Sequence, residues 1–205
     1  MQADGYFHNF FDKHKNRIIP RIKFCVAESS NEMLKKIKQI LKTEFNKDVT
    51  IFAYRNSLRL ETSVAKLIPS FNELKLDFKD PPKPPEFVLN DKELFGAYLA
   101  GVVDGDGNIC IKRPKYPQCR IKITSGTPQY RLAETIKRFF NCYVGLRKYK
   151  TVGYLNGRLI KGKGCDLEFY VSSKNMKKLP MSLLDYLCMP KKHAILSTFL
   201  KQNSF

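Results

Sequence analysis

Two carboxylates close the run Leu99-Ala100-Gly101-Val102-Val103-Asp104-Gly105-Asp106-Gly107. Negative charge at the C-terminal end of a helix opposes the helix dipole. A carboxylate held there against that preference points to function, and a bound divalent cation would offset the repulsion. A calcium loop of the EF-hand type does not fit. Asp104, Asp106 and Asn108 stand at its first, third and fifth positions, but Ile109 occupies the required glycine and Lys115 the bidentate glutamate. An Asp-Gly turn without metal is the alternative reading of these four residues, whose glycines are free to take positive φ.

The run needs a helix ahead of it, and the sequence supplies one. Asn90-Asp91-Lys92-Glu93 is a capping-box pattern that starts a helix over 91–103. Along it Gly96, Ala97, Ala100 and Gly101 fall in i, i+4 pairs, a stripe without bulk that lets another backbone approach closely. Leu94, Tyr98 and Leu99 remain for the surrounding core.

Around this helix the chain repeats itself. Arg21-Ile22-Lys23-Phe24-Cys25-Val26 and Arg120-Ile121-Lys122-Ile123-Thr124 alternate basic and apolar residues, so each is a strand with one wet, cationic face. Ser29-Ser30-Asn31-Glu32 then opens a helix carrying Leu34, Ile37, Ile40, Leu41 and Phe45. In the second copy Thr127-Pro128 reads as N-cap and N1, followed by Leu132, Ile136, Phe139 and Phe140. Further alternating runs follow at Ser57–Glu61 and Asp166–Tyr170, each before a Pro-interrupted helical tail. The second copy adds a Gly-rich basic hairpin, Thr151 to Gly164, with Asn156-Gly157 at its turn. Between the copies, Asp80-Pro81-Pro82-Lys83-Pro84-Pro85 reads as a stiff linker. The expected organisation is a first repeat over 1–76, a linker over 77–90 and a second repeat over 91–205.

Composition narrows the partner. A chain of 205 residues with 43% hydrophobic content can bury a core. Its 37 Lys and Arg against 19 Asp and Glu leave a formal charge of +18, which selects a polyanion. Nucleic acid is favoured over membrane, because the basic residues lie on strands and loops and no apolar run approaches the roughly 20 residues of a span. The six cysteines contain no Cys-x-x-Cys pair and the three histidines stand at no metal-ligand spacing, so reduced thiols are expected. The first residues show no leader pattern.

The string 99–107, with its flanking basic strands, resembles the signature of the LAGLIDADG homing endonuclease and maturase family. The resemblance implies an α+β fold of two pseudo-symmetric αββαββα units whose antiparallel strands form a saddle over nucleic acid. Residues 91–205 resemble a complete unit and residues 1–76 one that lacks its motif helix, an N-terminally truncated motif. Matched position by position, Asp106 is implied as the metal-binding acid and Asp104 as the residue before it. Asp4 of Ala3-Asp4-Gly5 is implied as the opposing acid, and Lys174 as the basic residue beside the active site. Ser125 and Glu28 match the polar position, and Ala65, with Lys66 beside it, falls about where Lys174 does. In such enzymes the two acids hold divalent ions that activate water for phosphodiester hydrolysis. The implied cofactor is therefore magnesium if the chain cleaves, and none otherwise.

With almost no chain ahead of Asp4 to hold it in place, the expected function is nucleic-acid binding by an endonuclease-derived protein with cleavage lost or impaired. The favoured target is structured organellar RNA, intron or ribosomal, and the expected location is mitochondrial. Arg21, Lys23, Lys112, Arg113, Arg120, Lys122, Arg147, Lys148 and Lys150 would contact phosphates, and Tyr116, Tyr149 and Tyr154 could stack on unpaired bases. The alternative is an active magnesium-dependent DNA endonuclease whose missing helix comes from upstream or in trans. A third reading is a structural module docked by charge within a ribosome. In each case a protein or RNA surface, such as a ribonucleoprotein offers, should cover helix 91–103.

Overall fold

Alternation of apolar and polar residues builds two sheets of the same topology. The computed structural model describes residues 5–76, 84–113, 115–155 and 158–203. The chain divides into two units, Met1–Phe87 and Val88–Phe205, so the division falls inside the expected 77–90 linker.

In the first unit β1 (Gly5–Asp12), β2 (Arg17–Val26), β3 (Ile51–Tyr54) and β4 (Ser57–Ser63) form an antiparallel sheet in the order β1-β2-β4-β3. Helix α1 (Asn31–Phe45) connects the hairpins, and α2 (Ile68–Glu73) follows them. Period two holds along β2: Ile22 and Val26 are buried on the face toward the core, while Arg21, Lys23 and Cys25 face away. The expected capping box does not form, because Glu28–Ser30 makes a 3-10 turn that leads straight into α1. Ser30 provides no side-chain cap, and Glu32 instead pairs with Lys35 at 2.7 Å.

Helix α3 (Glu86–Asn90) spans the division, and its Val88 and Leu89 are buried in the core of the second unit. These residues are therefore not linker. The first part of the expected linker, 77–83, lies outside the described residues. Helix α4 (Lys92–Asp106) runs into β5 (Gly107–Lys112) and β6 (Gln118–Ser125), then α5 (Tyr130–Phe140), β7 (Val144–Leu155) and β8 (Arg158–Val171). The strand order β5-β6-β8-β7 repeats that of the first sheet. Helices α6 (Met181–Asp185) and α7 (Pro190–Gln202) complete the unit. The basic hairpin expected over 151–164 is the outer part of the β7–β8 ribbon, and its Asn156-Gly157 turn lies outside the described residues. Thr127-Pro128 stays in the loop, and Gln129 takes the N-cap position of α5.

The two copies agree in detail. Helices α1 and α5 both end on an asparagine in the left-handed region, Asn46 at φ 46° and Asn141 at φ 50°, a position that asparagine tolerates better than most residues. Lys23 lies opposite Glu61, as Lys122 lies opposite Glu168. What differs is the core. The fully buried phenylalanines Phe95, Phe140, Phe169 and Phe199 all belong to the second unit, where Phe95 and Phe169 both meet the Phe140 ring.

Candidate nucleic-acid interface

The N-terminus of α4 is set by Asp91, whose Oδ1 accepts from the backbone N–H of Glu93 at 2.8 Å and Leu94 at 2.9 Å. Glu93 does not close the box. Its carboxylate accepts from Ser182 N at 3.0 Å, while the Ser182 hydroxyl donates to the Glu93 carbonyl at 2.6 Å. The Ser182 bonds hold the Glu93 carboxyl below the ordinary carboxylate range, outweighing the opposing effect of burial.

These bonds dock α6 against α4 and change the reading of its small-residue stripe. A Cβ on Gly96 would lie 2.3 Å from Ser182 Oγ and 2.5 Å from Pro180 Cγ, and Ala100 is 0% exposed within the core. Gly96 and Ala100 therefore serve packing inside the unit. Ala97 is half-buried and Gly101 exposed, with nothing within 4 Å of a Cβ added there. Leu94, expected in the core, is exposed as well. The outward face is Leu94, Ala97 and Gly101, the i, i+3, i+7 row of one helix face.

The expected Asp-Gly-Asp-Gly turn is also corrected. The helix continues through Asp106, and neither Gly105 nor Gly107 takes positive φ. Gly107 is required for a steric reason, since a Cβ there would lie 2.5 Å from the Val103 carbonyl oxygen. The extra turn is held from α7. Asp104 is 5% exposed and accepts from Cys188 N at 2.6 Å and Met189 N at 3.2 Å, just before α7 begins. Lys192 Nζ donates to the Val103 and Asp104 carbonyls at 2.8 and 2.7 Å; the first also accepts from Gly107 N–H, and the second is an acceptor of the last turn that a helix end leaves open. Burial pushes the Asp104 carboxyl up, against the lowering effect of its two backbone bonds.

Asp106 is exposed at the end of α4. Asp4 lies outside the described residues. Among the described residues no group of three His, Cys, Asp or Glu is placed to hold an ion, and the Asp104 carboxylate is committed to α7. The described donors therefore do not by themselves make up a divalent-cation site. Lys174 sits exposed in the turn after β8, shaped by Asn175 Oδ1 accepting from Ser172 N at 2.7 Å. Strand register sets Lys174 and Asp106 apart: Val171 faces Cys119, whereas Gly107 faces Ile123. Four residues of β6, about 13 Å of strand, separate those levels. Ser125 turns its hydroxyl to the Thr127 carbonyl, and Glu28 is exposed in its 3-10 turn. Ala65 and Lys66 lie in a 3-10 turn after β4. Lys47 donates to the Ser63 carbonyl there, and burial and then the Lys66 charge lower its ammonium from the ordinary range.

The polar sheet faces hold the cations that remain. In the first sheet Arg21 reaches Glu61 at 3.0 Å and stacks 4.0 Å from the Phe10 ring centre. Lys23 lies over Tyr6, and Arg59 lies 3.5 Å from the centre of Tyr54. The Nε atoms of Arg21, Arg59 and Arg120, and His8 Nδ1, are buried without hydrogen-bond partners. In the second sheet Lys122 bonds Asp166 at 2.8 Å and Arg120 approaches Glu168 at 3.7 Å. Asp166 also accepts from Thr124 at 3.0 Å and Tyr149 at 3.2 Å. Partial burial would raise the Asp166 carboxyl, but the Lys122 and Thr124 bonds carry it below the ordinary range. Arg147 shares this face, opposite Asp166, and Lys112 lies on it at the far end of β5. Arg113, at φ 55°, is exposed in the turn after β5.

Two of the expected phosphate contacts lie elsewhere. Lys148 pairs with buried Cys165 and Lys150 with Lys163, so both stand on the helix-side face of the ribbon, opposite Arg120 and Lys122. Tyr149 is taken up by Asp166, whereas Tyr116 and Tyr154 are exposed. His8, Arg59, Tyr6 and Tyr54 were not singled out in the sequence. Pairing Arg21 and Lys23 with the preceding run finds His8 and Tyr6; Arg59 and Tyr54 also need the register of β3 and β4.

No protein-family profile and no curated relative matches the chain. Solved structures do. LAGLIDADG homing endonuclease I-GzeII in complex with its DNA target aligns with a TM-score of 0.54 at 13% identity, covering 99% of this chain and 87% of that one. I-DmoI in complex with DNA and Ca gives 0.54 at 14% identity over 95% and 92%. The meganuclease I-CpaMI bound to uncleaved DNA gives 0.50 at 13% identity over 99% and 88%. The chain has the LAGLIDADG homing-endonuclease fold. Here α4 carries the 99–107 string, and the ribbons β5–β6 and β7–β8 carry the polar face just described. Other structures of I-DmoI hold target DNA with magnesium or DNA with manganese.

Proposed function

We propose that this chain binds nucleic acid through the polar faces of its two sheets and that its target is a folded RNA with unpaired bases. The observation that carries the binding reading is the repeated array in which Arg21, Lys23 and Arg59 lie against aromatic rings and Arg120 and Lys122 stand at the matching register. Cations tracking a strand beside stacking rings suit a nucleic-acid backbone and its exposed bases. Exposed Tyr116 supports the preference for unpaired bases. The resemblance adds an organellar intron or ribosomal RNA as the class of target, a mitochondrial location, and a protein or RNA surface over Leu94, Ala97 and Gly101.

Site-specific cutting of duplex DNA is the second reading. It is favoured by the exposed Asp106 on the motif helix and by solved neighbours that hold target DNA. One experiment separates the two. The purified chain is titrated with an RNA hairpin and a DNA duplex of equal length at several salt concentrations, then incubated with the duplex and magnesium. The RNA reading expects the hairpin to bind more tightly, with a steep salt dependence that weakens by about one unit of slope for each cation removed, as in Lys23→Gln and Lys122→Gln. Tighter duplex binding with cuts that Asp106→Asn abolishes would establish the nuclease instead.

A further inference from the structure

The β7–β8 ribbon has a second charged face that the function above does not use. Lys148, Lys150, Lys161 and Lys163 alternate on its helix side, and Lys150 stands directly opposite Lys163. Like charges in that position repel. On the other face Lys122 and Arg120 are matched by Asp166 and Glu168. Among the described residues none of the four helix-side lysines forms an ion pair with a carboxylate.

All four side chains are exposed, and three of them border a concave site. Lys148, Lys150 and Lys163 line a cavity of about 570 Å³, whose opposite wall is the loop holding Gly126 and Pro128. Lys148 Nζ lies 5.4 Å from the centre of the Tyr130 ring at the start of α5. Farther out on the same face, Tyr154 lies across from Leu159 and is 78% exposed.

We propose that this helix-side face is a second nucleic-acid surface, separate from the polar sheet face, and that it takes an unpaired strand. Alternate residues of a strand are about 6.8 Å apart, a spacing that lets Lys148 and Lys150 meet successive phosphates of an extended backbone. The Lys150–Lys163 repulsion is relieved when a phosphate sits between the two ammonium groups. Tyr154 offers a ring on which a base can stack, which a duplex does not present. An anionic lipid surface would meet the same lysines, but the exposed Tyr154 ring beside a regular lysine spacing suits a strand that carries bases rather than a layer of headgroups.

The proposal rests on the nucleic-acid reading only for the class of polyanion, and the test separates the two. Lysine acetylation of the intact chain is mapped by mass spectrometry alone, with oligothymidylate, with a DNA duplex, and with vesicles containing phosphatidylserine. The expected result is that oligothymidylate lowers acetylation of Lys150 and Lys163 at least fivefold, that the duplex does not, and that Lys150→Gln/Lys163→Gln weakens oligothymidylate binding while leaving the duplex affinity within twofold. Protection of Lys23 and Lys122 alone would overturn this proposal and leave the first reading standing. Protection of neither pair would overturn this proposal and leave the first reading to the RNA hairpin titration. Protection of Lys150 and Lys163 by vesicles but not by oligothymidylate would assign the face to lipid and overturn it too.

Discussion

The two units share a sheet topology and a polar face but not a core. In the second, α4 lays Phe95, Leu99, Val102 and Val103 among the strands, and the fully buried phenylalanines close around them. In the first, the buried set is aliphatic, with Leu34 and Leu60 the largest fully buried side chains among the described residues. The face that meets solvent matches in register between the units while the layer behind it differs. The large stability terms therefore lie in the core, and the polar face adds only small ones such as the Asp166 pair with Lys122.

The sharpest way to break that separation is Phe95→Ala, which should cost about 3–5 kcal/mol through the cavity it leaves. The loss should be read in hydrogen exchange of β6 and β8, because the core cluster around Phe95 consists of second-unit residues. Equal loss of protection in β2 and β4 would show that the units share one stability. Next in size, Gly96→Ala is expected to destabilise by about 1–3 kcal/mol, since its methyl meets Ser182 and Pro180. Gly101→Ala, on the open side of the same helix, should instead stabilise by up to about 1 kcal/mol. Denaturant titrations with the same sign for both would mean that α4 is oriented differently.

The smallest effect concerns the polar face. Asp166 titrates lower in the folded chain than in the unfolded one, so its contribution is complete above the ordinary carboxylate range and disappears as pH falls through its lowered value. Asp166→Asn should remove this acid-side slope from a plot of melting temperature against pH. An unchanged slope would dissociate Asp166 from Lys122 and Thr124.

Much of this was legible in the sequence where a short-range rule suffices. Asp91 announces α4 because an N-cap acts within three residues, and Arg21 and Arg120 announce strands because alternation is local. Long-range partners decided the rest. Asp104 and the helical course of 104–106 depend on Cys188, Met189 and Lys192, more than eighty residues away. Gly96 and Gly101 look equivalent until α6 covers one of them. Lys148 and Lys150 changed faces because parity along β7 is fixed by its pairing with β8, which composition does not reveal. For the candidate site, Asp106 and the Arg/Lys ladder could be named from sequence, but their carboxylate and aromatic partners required the register.

The clasp between α4 and α7 carries one more implication, for synthesis. Because Cys188, Met189 and Lys192 hold the last turn of α4, the acid at position 106 cannot be seated while a nascent chain still has those residues inside the ribosomal tunnel. The first sheet has no such dependence, since its strands end at Ser63 and its Arg21–Glu61 pair comes from chain made long before Cys188.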